Sequence, residues 1–117
     1  VVRLDGLLTA EAAVGANGVG VLRRKLAVRL RAVLRASDVV ASIGNDAFAV
    51  LLAWMDAPQA AGGVADKIQQ ALTRPVRIDQ REVALAVSIG TALYPADGKE
   101  ARGLLRQAFS AAVGATP

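Results

Sequence analysis

Apolar positions along the chain follow two rhythms. Between residues 21 and 35, Leu22, Leu26, Leu30, Val33 and Leu34 recur at three- and four-residue steps, which predicts an amphipathic helix. Residues 39–43 and 47–54 are short apolar runs with Gly44-Asn45-Asp46 between them. A Gly-Asn pair set between two such runs predicts an antiparallel hairpin. Residues 1–4 read as a short strand, and residues 9–20, mixing Ala, Gly and Asn, as a helix fragment followed by a loop. A helix opens at Asp56-Ala57-Pro58 with Asp56 as N-cap, buries Ala60, Ala61, Val64, Ile68, Ala71 and Leu72, and stops at Pro75. Residues 76–79 and 83–90 read as two strands joined by a turn at Gln80-Arg81. The second is apolar on both faces and is expected to be central and buried. A last helix over residues 100–113 follows the Pro95-Ala96-Asp97-Gly98 turn and is expected to bury Leu104, Leu105, Ala108, Ala111 and Ala112. The resulting fold class is α+β (mixed α/β), with helices covering a central, largely antiparallel sheet of about five strands.

Composition narrows the chemistry. The chain has 117 residues, enough for one domain, expected to span 1–117. It holds no cysteine and no histidine, so disulfides, thiolate catalysis, histidine-based triads and histidine zinc sites are excluded. Acid–base or metal chemistry must rest on Asp and Glu. The net charge of +4 permits anionic partners. Arg23, Arg24, Lys25, Arg29, Arg31 and Arg35 crowd one side of the 21–35 helix. That pattern suits a solvated face better than a nucleic-acid or phosphate patch, and no aromatics interleave to stack bases. No apolar run reaches the roughly 18–20 residues that span a membrane, so no membrane insertion is expected. No export signal opens the chain, and a cytoplasmic location is the default. Trp54 and Tyr94 are isolated aromatics, expected to pack in the core or at its rim.

Three stretches carry a resemblance. The first runs over residues 27–41 and includes Arg35-Ala36-Ser37-Asp38. The second is Ile43-Gly44-Asn45-Asp46-Ala47-Phe48-Ala49-Val50-Leu51-Leu52. The third runs over residues 88–98 and continues through Leu104-Leu105-Arg106-Gln107-Ala108. In this order they resemble the GGDEF domain of the diguanylate cyclases. The helix containing Val64-Ala65-Asp66-Lys67-Ile68 fits the same pattern. The resemblance implies a nucleotide-cyclase-like fold and, in active members, condensation of two GTP molecules into cyclic di-GMP. It also implies two divalent ions held on carboxylates from the first strand and the signature hairpin.

Several positions depart from that pattern. Gly44 keeps the first signature glycine, and Asn45 replaces the second. Asp46 stands at the metal-ligand position, and Ala47 replaces the acid that follows it. Counted back without gaps from Ala27, Arg3 falls at the first carboxylate of strand one and Asp5 at the second. A two-residue deletion would place Asp5 at the metal position instead. In the ungapped register Glu11 and Gly20 replace the Asn and Asp that read guanine. Thr116 stands where the family has a phosphate-binding lysine. The family's opening helix and its Asp-x-Leu-Thr-Gly-Leu stretch are missing, which suggests a domain cut from a longer signalling protein.

The expected role is therefore a catalytically inactive, GGDEF-like regulatory module in cyclic di-GMP signalling. It would act through dimerisation, or through contacts with a neighbouring EAL or sensor domain or a partner protein. No cofactor is expected, with Mg²⁺ entering only if the vestigial hairpin Gly44, Asn45, Asp46, Ala47 and Phe48 still holds nucleotide. Asp46 and Asp5 are the candidate metal ligands. Asp46 also suits a turn residue whose carboxylate caps backbone N–H groups. One alternative is a cyclic di-GMP receptor, because Arg35-x-x-Asp38 matches the family's inhibitory-site motif five residues before the signature. There the guanidinium would engage guanine and phosphate, and the carboxylate would accept guanine N–H groups. The competing reading is that Asp38 opens a strand or pairs with Arg31 or Arg35. A second alternative is a GTP-binding allosteric domain that does not turn its ligand over.

Overall fold

The computed structural model describes residues 1–52, 57 and 59–114. The expected Asp56 cap, Trp54, Pro58 and the Ala115-Thr116 segment lie outside the described residues. The elements run β1 (Val2–Asp5), α1 (Leu7–Ala32), β2 (Val39–Ile43), β3 (Ala47–Leu51), α2 (Ala60–Thr73), β4 (Val76–Ile78), β5 (Arg81–Val83), β6 (Ala86–Ile89) and α3 (Ala101–Gly114). Four strands form the main sheet in the order β2-β3-β1-β6, and every neighbouring pair is antiparallel. The remaining two, β4 and β5, form a separate hairpin. The fold class is as expected: antiparallel strands covered by helices.

Strand alternation sorts the sheet's two faces. Val2 and Leu4 of β1, Phe48 of β3 and Val87 of β6 turn towards α1 and α2. They join Leu22, Leu26 and Leu30 of α1 and Ile68 and Leu72 of α2 in the principal core. Leu30 and Leu72 are fully excluded from solvent. The hairpin β4–β5 adds Val76, Ile78 and Val83 to the same core. On the opposite face a smaller cluster joins Val1 to Ala108 and Ala112 of α3, with Ile43 and Ala92 packed against it.

Three expectations change. Residues 16–20 are helical: α1 is one element of 26 residues that bends at Gly15, whose φ of 79° absorbs the change of direction. The stretch expected as one strand over 83–90 is two pieces, since Val83 ends β5 and Ala86 begins β6. Correspondingly, Arg81 lies inside β5, and the turn falls at Asp79-Gln80, with Asp79 at φ 55°. Among the described residues β6 lies at the edge of the sheet rather than its centre. Its apolar character comes from helices on both sides, α2 against one face and α3 against the other.

The third change concerns α3. Only Ala108 and Ala112 are buried, while Leu105 and Ala111 are exposed and Leu104 is half-buried. The reason is the closeness of the helix to the sheet. A Cβ on Gly90 would collide with Ala108 O and Ala112 N, so α3 rests its backbone directly on that glycine. At such a distance only alanines fit between helix and sheet.

Candidate functional site

The sheet and α1 together build a cleft beside the signature turn. From α1 it is lined by Gly20, Arg23, Arg24 and Ala27, and from the sheet by Leu4, Ser42, Gly44, Asn45, Ala47 and Phe48. Its volume is about 310 Å³. The turn Gly44-Asn45-Asp46 closes the β2–β3 hairpin, and Gly44 takes φ 67°, where a side chain would be strained. The turn is fixed from two sides. Leu4 N donates to Asp46 O at 2.7 Å, and Arg23 Nη1 donates to Asn45 O at 3.3 Å. Two guanidinium-bearing residues, a serine, an asparagine and a glycine turn thus share one concave surface. That donor set suits an anion, above all a phosphate, which arginine engages through paired N–H groups.

Carboxylates are placed elsewhere. Asp5 accepts a hydrogen bond from Ser88 Oγ at 2.6 Å, on the α3 side of the sheet. Arg3 pairs with Ala47 in the β1–β3 ladder, and its guanidinium lies 5.9 Å from the centre of the Phe109 ring. Asp46 is half-buried in the turn, with Oδ1 3.9 Å from where a Cβ on Gly44 would stand, at the edge of the cleft. Among the described residues no three Asp or Glu side chains gather where they could hold a metal ion.

The loop from α1 to β2 is closed by the residues of the Arg-x-x-Asp motif. Asp38 is 6% exposed, and its Oδ2 accepts from Arg35 N at 2.8 Å. Asp38 N donates in return to Arg35 O at 3.0 Å. Arg31 completes the closure by donating to Asp38 O at 2.6 Å and also to Arg35 O. The Arg35 side chain itself is exposed.

Comparison with known proteins gives this geometry its context. The family model "Diguanylate cyclase, GGDEF domain" matches residues 5–115. The chain belongs to the GGDEF domain family. MucR of Pseudomonas aeruginosa, a bifunctional diguanylate cyclase/cyclic di-GMP phosphodiesterase, is 35% identical over 108 residues, covering 92% of the chain and 16% of MucR. The diguanylate cyclase TpbB of the same organism is 40% identical over 84 residues, covering 71% of the chain and 19% of TpbB. The crystal structure of the TpbB GGDEF domain superposes with a TM-score of 0.93 at 33% identity, over 97% of this chain and 71% of that one. A sensory box/GGDEF family protein from Caulobacter crescentus gives 0.90 at 32% identity, over 97% and 74%. The chain therefore spans less than a fifth of these two curated relatives.

Within the GGDEF domain, the structure brings Gly44, Asn45, Ala47 and Phe48 to the cleft, with Asp46 beside it. Arg35 and Asp38 meet each other, at the far end of β2 from that turn. Asp5 is held by Ser88, across the sheet from the cleft face. Sequence reasoning missed Arg23, Arg24 and Ser42 as site residues. Arg23 and Arg24 stand out in the sequence only as members of a basic helix face that suits solvent, and Ser42, in β2, carries no signal. The structure uses three of the basic residues, Arg23, Lys25 and Arg29, as clamps on backbone carbonyls of neighbouring segments. Besides Arg23 on Asn45, Lys25 Nζ donates to Arg77 O at 2.8 Å. Arg29 spans Arg74 O at 2.6 Å and Pro75 O at 2.8 Å, where α2 ends. Tyr94 is 71% exposed and does not join the core.

Proposed function

We propose that this GGDEF domain is a regulatory module that synthesises no cyclic di-GMP and that accepts a nucleotide polyphosphate in the cleft between α1 and the signature turn. The observation that carries this reading is the cleft's lining, which among the described residues holds Arg23 and Arg24, with the Asp46 carboxylate at the turn beside it. Nucleotidyl transfer in this family depends on divalent ions held by acidic side chains from strand one and the hairpin. Here the acidic position after Asp46 is Ala47, and its ladder partner is Arg3. The Arg3 side chain reaches towards Phe109 on the α3 face and offers a cation no ligand. The donors that would grip phosphate remain, and the acids that would hold two metal ions are reduced to Asp46 at the turn.

A bound nucleotide would bridge α1 and the β2–β3 hairpin and so favour one arrangement of the two. A ligand shifts a protein's equilibrium only through such a difference in affinity between states. Bridging is therefore how this module would pass a signal to an adjoining EAL or sensor domain, or to a second copy, inside a longer cytoplasmic protein. The dual name of MucR supports that setting.

Calorimetric titration of GTP into the chain tests the reading, with chromatography of the mixture for products. Micromolar binding without cyclic di-GMP is the expected result. Arg24→Ala should weaken binding about tenfold, the loss of one charge-assisted hydrogen bond. An absence of heat at millimolar GTP would leave the domain as a scaffold that works through protein contacts alone.

A receptor role through Arg35 and Asp38 draws on the exposed Arg35 side chain. Against it, the Asp38 carboxylate is buried and bonded to Arg35 N, so it serves the loop first. Titration with cyclic di-GMP, with Arg35→Ala as comparison, separates the two readings.

A further inference from the structure

Magnesium is the cation that the family implies, and the donors at this cleft do not fit it. Mg²⁺ requires near-octahedral oxygen ligands at close range and is ordinarily recruited by one or two carboxylates together with substrate phosphates. The side chains lining this cleft include two guanidinium groups, a serine hydroxyl and an asparagine amide. Asp5 is bonded to Ser88 on the other face and Ala47 offers no ligand, which leaves at the turn the single carboxylate of Asp46, without the second acid that would complete a metal site.

We propose that the cleft binds its polyphosphate as the free anion, with Arg23 and Arg24 neutralising the charge that divalent ions neutralise in catalytic GGDEF domains. This rests on the reading that the cleft takes a nucleotide at all. Two features support it. Arg23 is already oriented, because Nη1 donates to Asn45 O and a guanidinium has further N–H groups to offer. Arg24 is exposed one residue further along α1 and lines the same cleft.

The electrostatic consequence has a definite sign. A free nucleoside triphosphate carries a charge of about −4, and chelated Mg²⁺ cancels two of those charges. The attraction to a pair of guanidinium groups scales with the ligand's charge and is therefore roughly halved by the metal. Gly20 lines the cleft without any side-chain acceptor, so recognition falls on the phosphates more than on the base.

Titration of GTP, and separately of inorganic tripolyphosphate, into the chain in EDTA and in millimolar Mg²⁺ tests the proposal. Both anions are expected to bind in EDTA, and several-fold more weakly in Mg²⁺. Arg24→Ala should lower the EDTA affinity about tenfold, and Arg24→Lys by less, since lysine keeps the charge and loses the fork. GTP binding that requires Mg²⁺ and vanishes in EDTA would overturn the proposal while leaving nucleotide binding intact. Failure of both anions in both buffers would remove the nucleotide reading and this inference with it.

Discussion

Gly90→Ala adds one methyl group at the place where α3 rests on the sheet. The new Cβ would meet Ala108 O and Ala112 N well inside contact distance, and Ala111 C at 2.8 Å. All three are backbone atoms, so no rotamer change relieves the overlap, and α3 must move bodily. What opposes that movement is modest. The cluster holding α3 comprises Val1, Ala108 and Ala112, with Ile43 and Ala92 against it. Two buried alanine methyls at about 0.8 kcal/mol each and one valine at about 1.5 kcal/mol give roughly 3 kcal/mol of apolar docking. Overpacking of a tight interface ordinarily costs about 1–3 kcal/mol. The substitution should therefore destabilise by about 2–3 kcal/mol, near the point at which α3 lifts away. The principal core around Leu26, Leu30 and Leu72 lies on the other face and should persist. Urea unfolding followed with hydrogen exchange reads both effects. The variant's midpoint should fall, and amides of α3 should lose protection while those of α1 after Gly15 keep theirs. An unchanged midpoint with unchanged α3 protection would refute the close-contact argument. A uniform loss of protection in α1 and α3 would refute the separation of the two cores.

Other consequences follow from single contacts. Arg29→Ala removes the donor to Arg74 O and Pro75 O at the end of α2, where the helix dipole is negative. A loss of about 1–2 kcal/mol is expected in urea unfolding, with Arg29→Lys recovering only part because an ammonium lacks the planar fork. Asp38→Ala leaves Arg35 N without its carboxylate partner in a part-buried loop. It should cost about 1–2 kcal/mol and leave GTP titration unchanged, whereas a matching fall in GTP affinity would link that loop to the cleft. Leu30→Ala, at a side chain with no solvent exposure, should cost about 2–5 kcal/mol by the same unfolding measurement.

The fold was largely legible because its main signals are local. The three-and-four spacing of Leu22, Leu26 and Leu30 and the Gly44-Asn45 turn each specify an element within a few residues. What escaped depends on contacts between distant segments. Nothing near Gly90 in sequence announces that a helix about twenty residues on will seat its backbone there. The exposure of Leu105 follows from that seating. The edge position of β6 was hidden because helices on both faces make a strand as apolar as flanking strands do. Gly15 reads as a breaker and is one, at φ 79° and ψ 172°, but a second helical segment resumes directly after it, where Leu22 and Leu26 anchor its turns to the core.

The candidate site divides in the same way. Gly44, Asn45, Asp46, Ala47 and Phe48 are contiguous and identify themselves. Arg23 and Arg24 join them only when the hairpin folds back onto α1, which brings Asn45 O within reach of a side chain 22 residues away. Asp5 illustrates the opposite case. Its position in the sequence suggests a metal ligand, and the structure adds a bond from Ser88, 83 residues on, that no local pattern announces.

Incubation of the chain at high concentration with GTP and Mg²⁺, followed by chromatographic separation of the nucleotides, tests the central claim most directly. The predicted result is GTP recovered intact, with no cyclic di-GMP. Accumulation of cyclic di-GMP in proportion to protein, abolished by Asp46→Ala, would contradict it and restore the signature turn as a catalytic site.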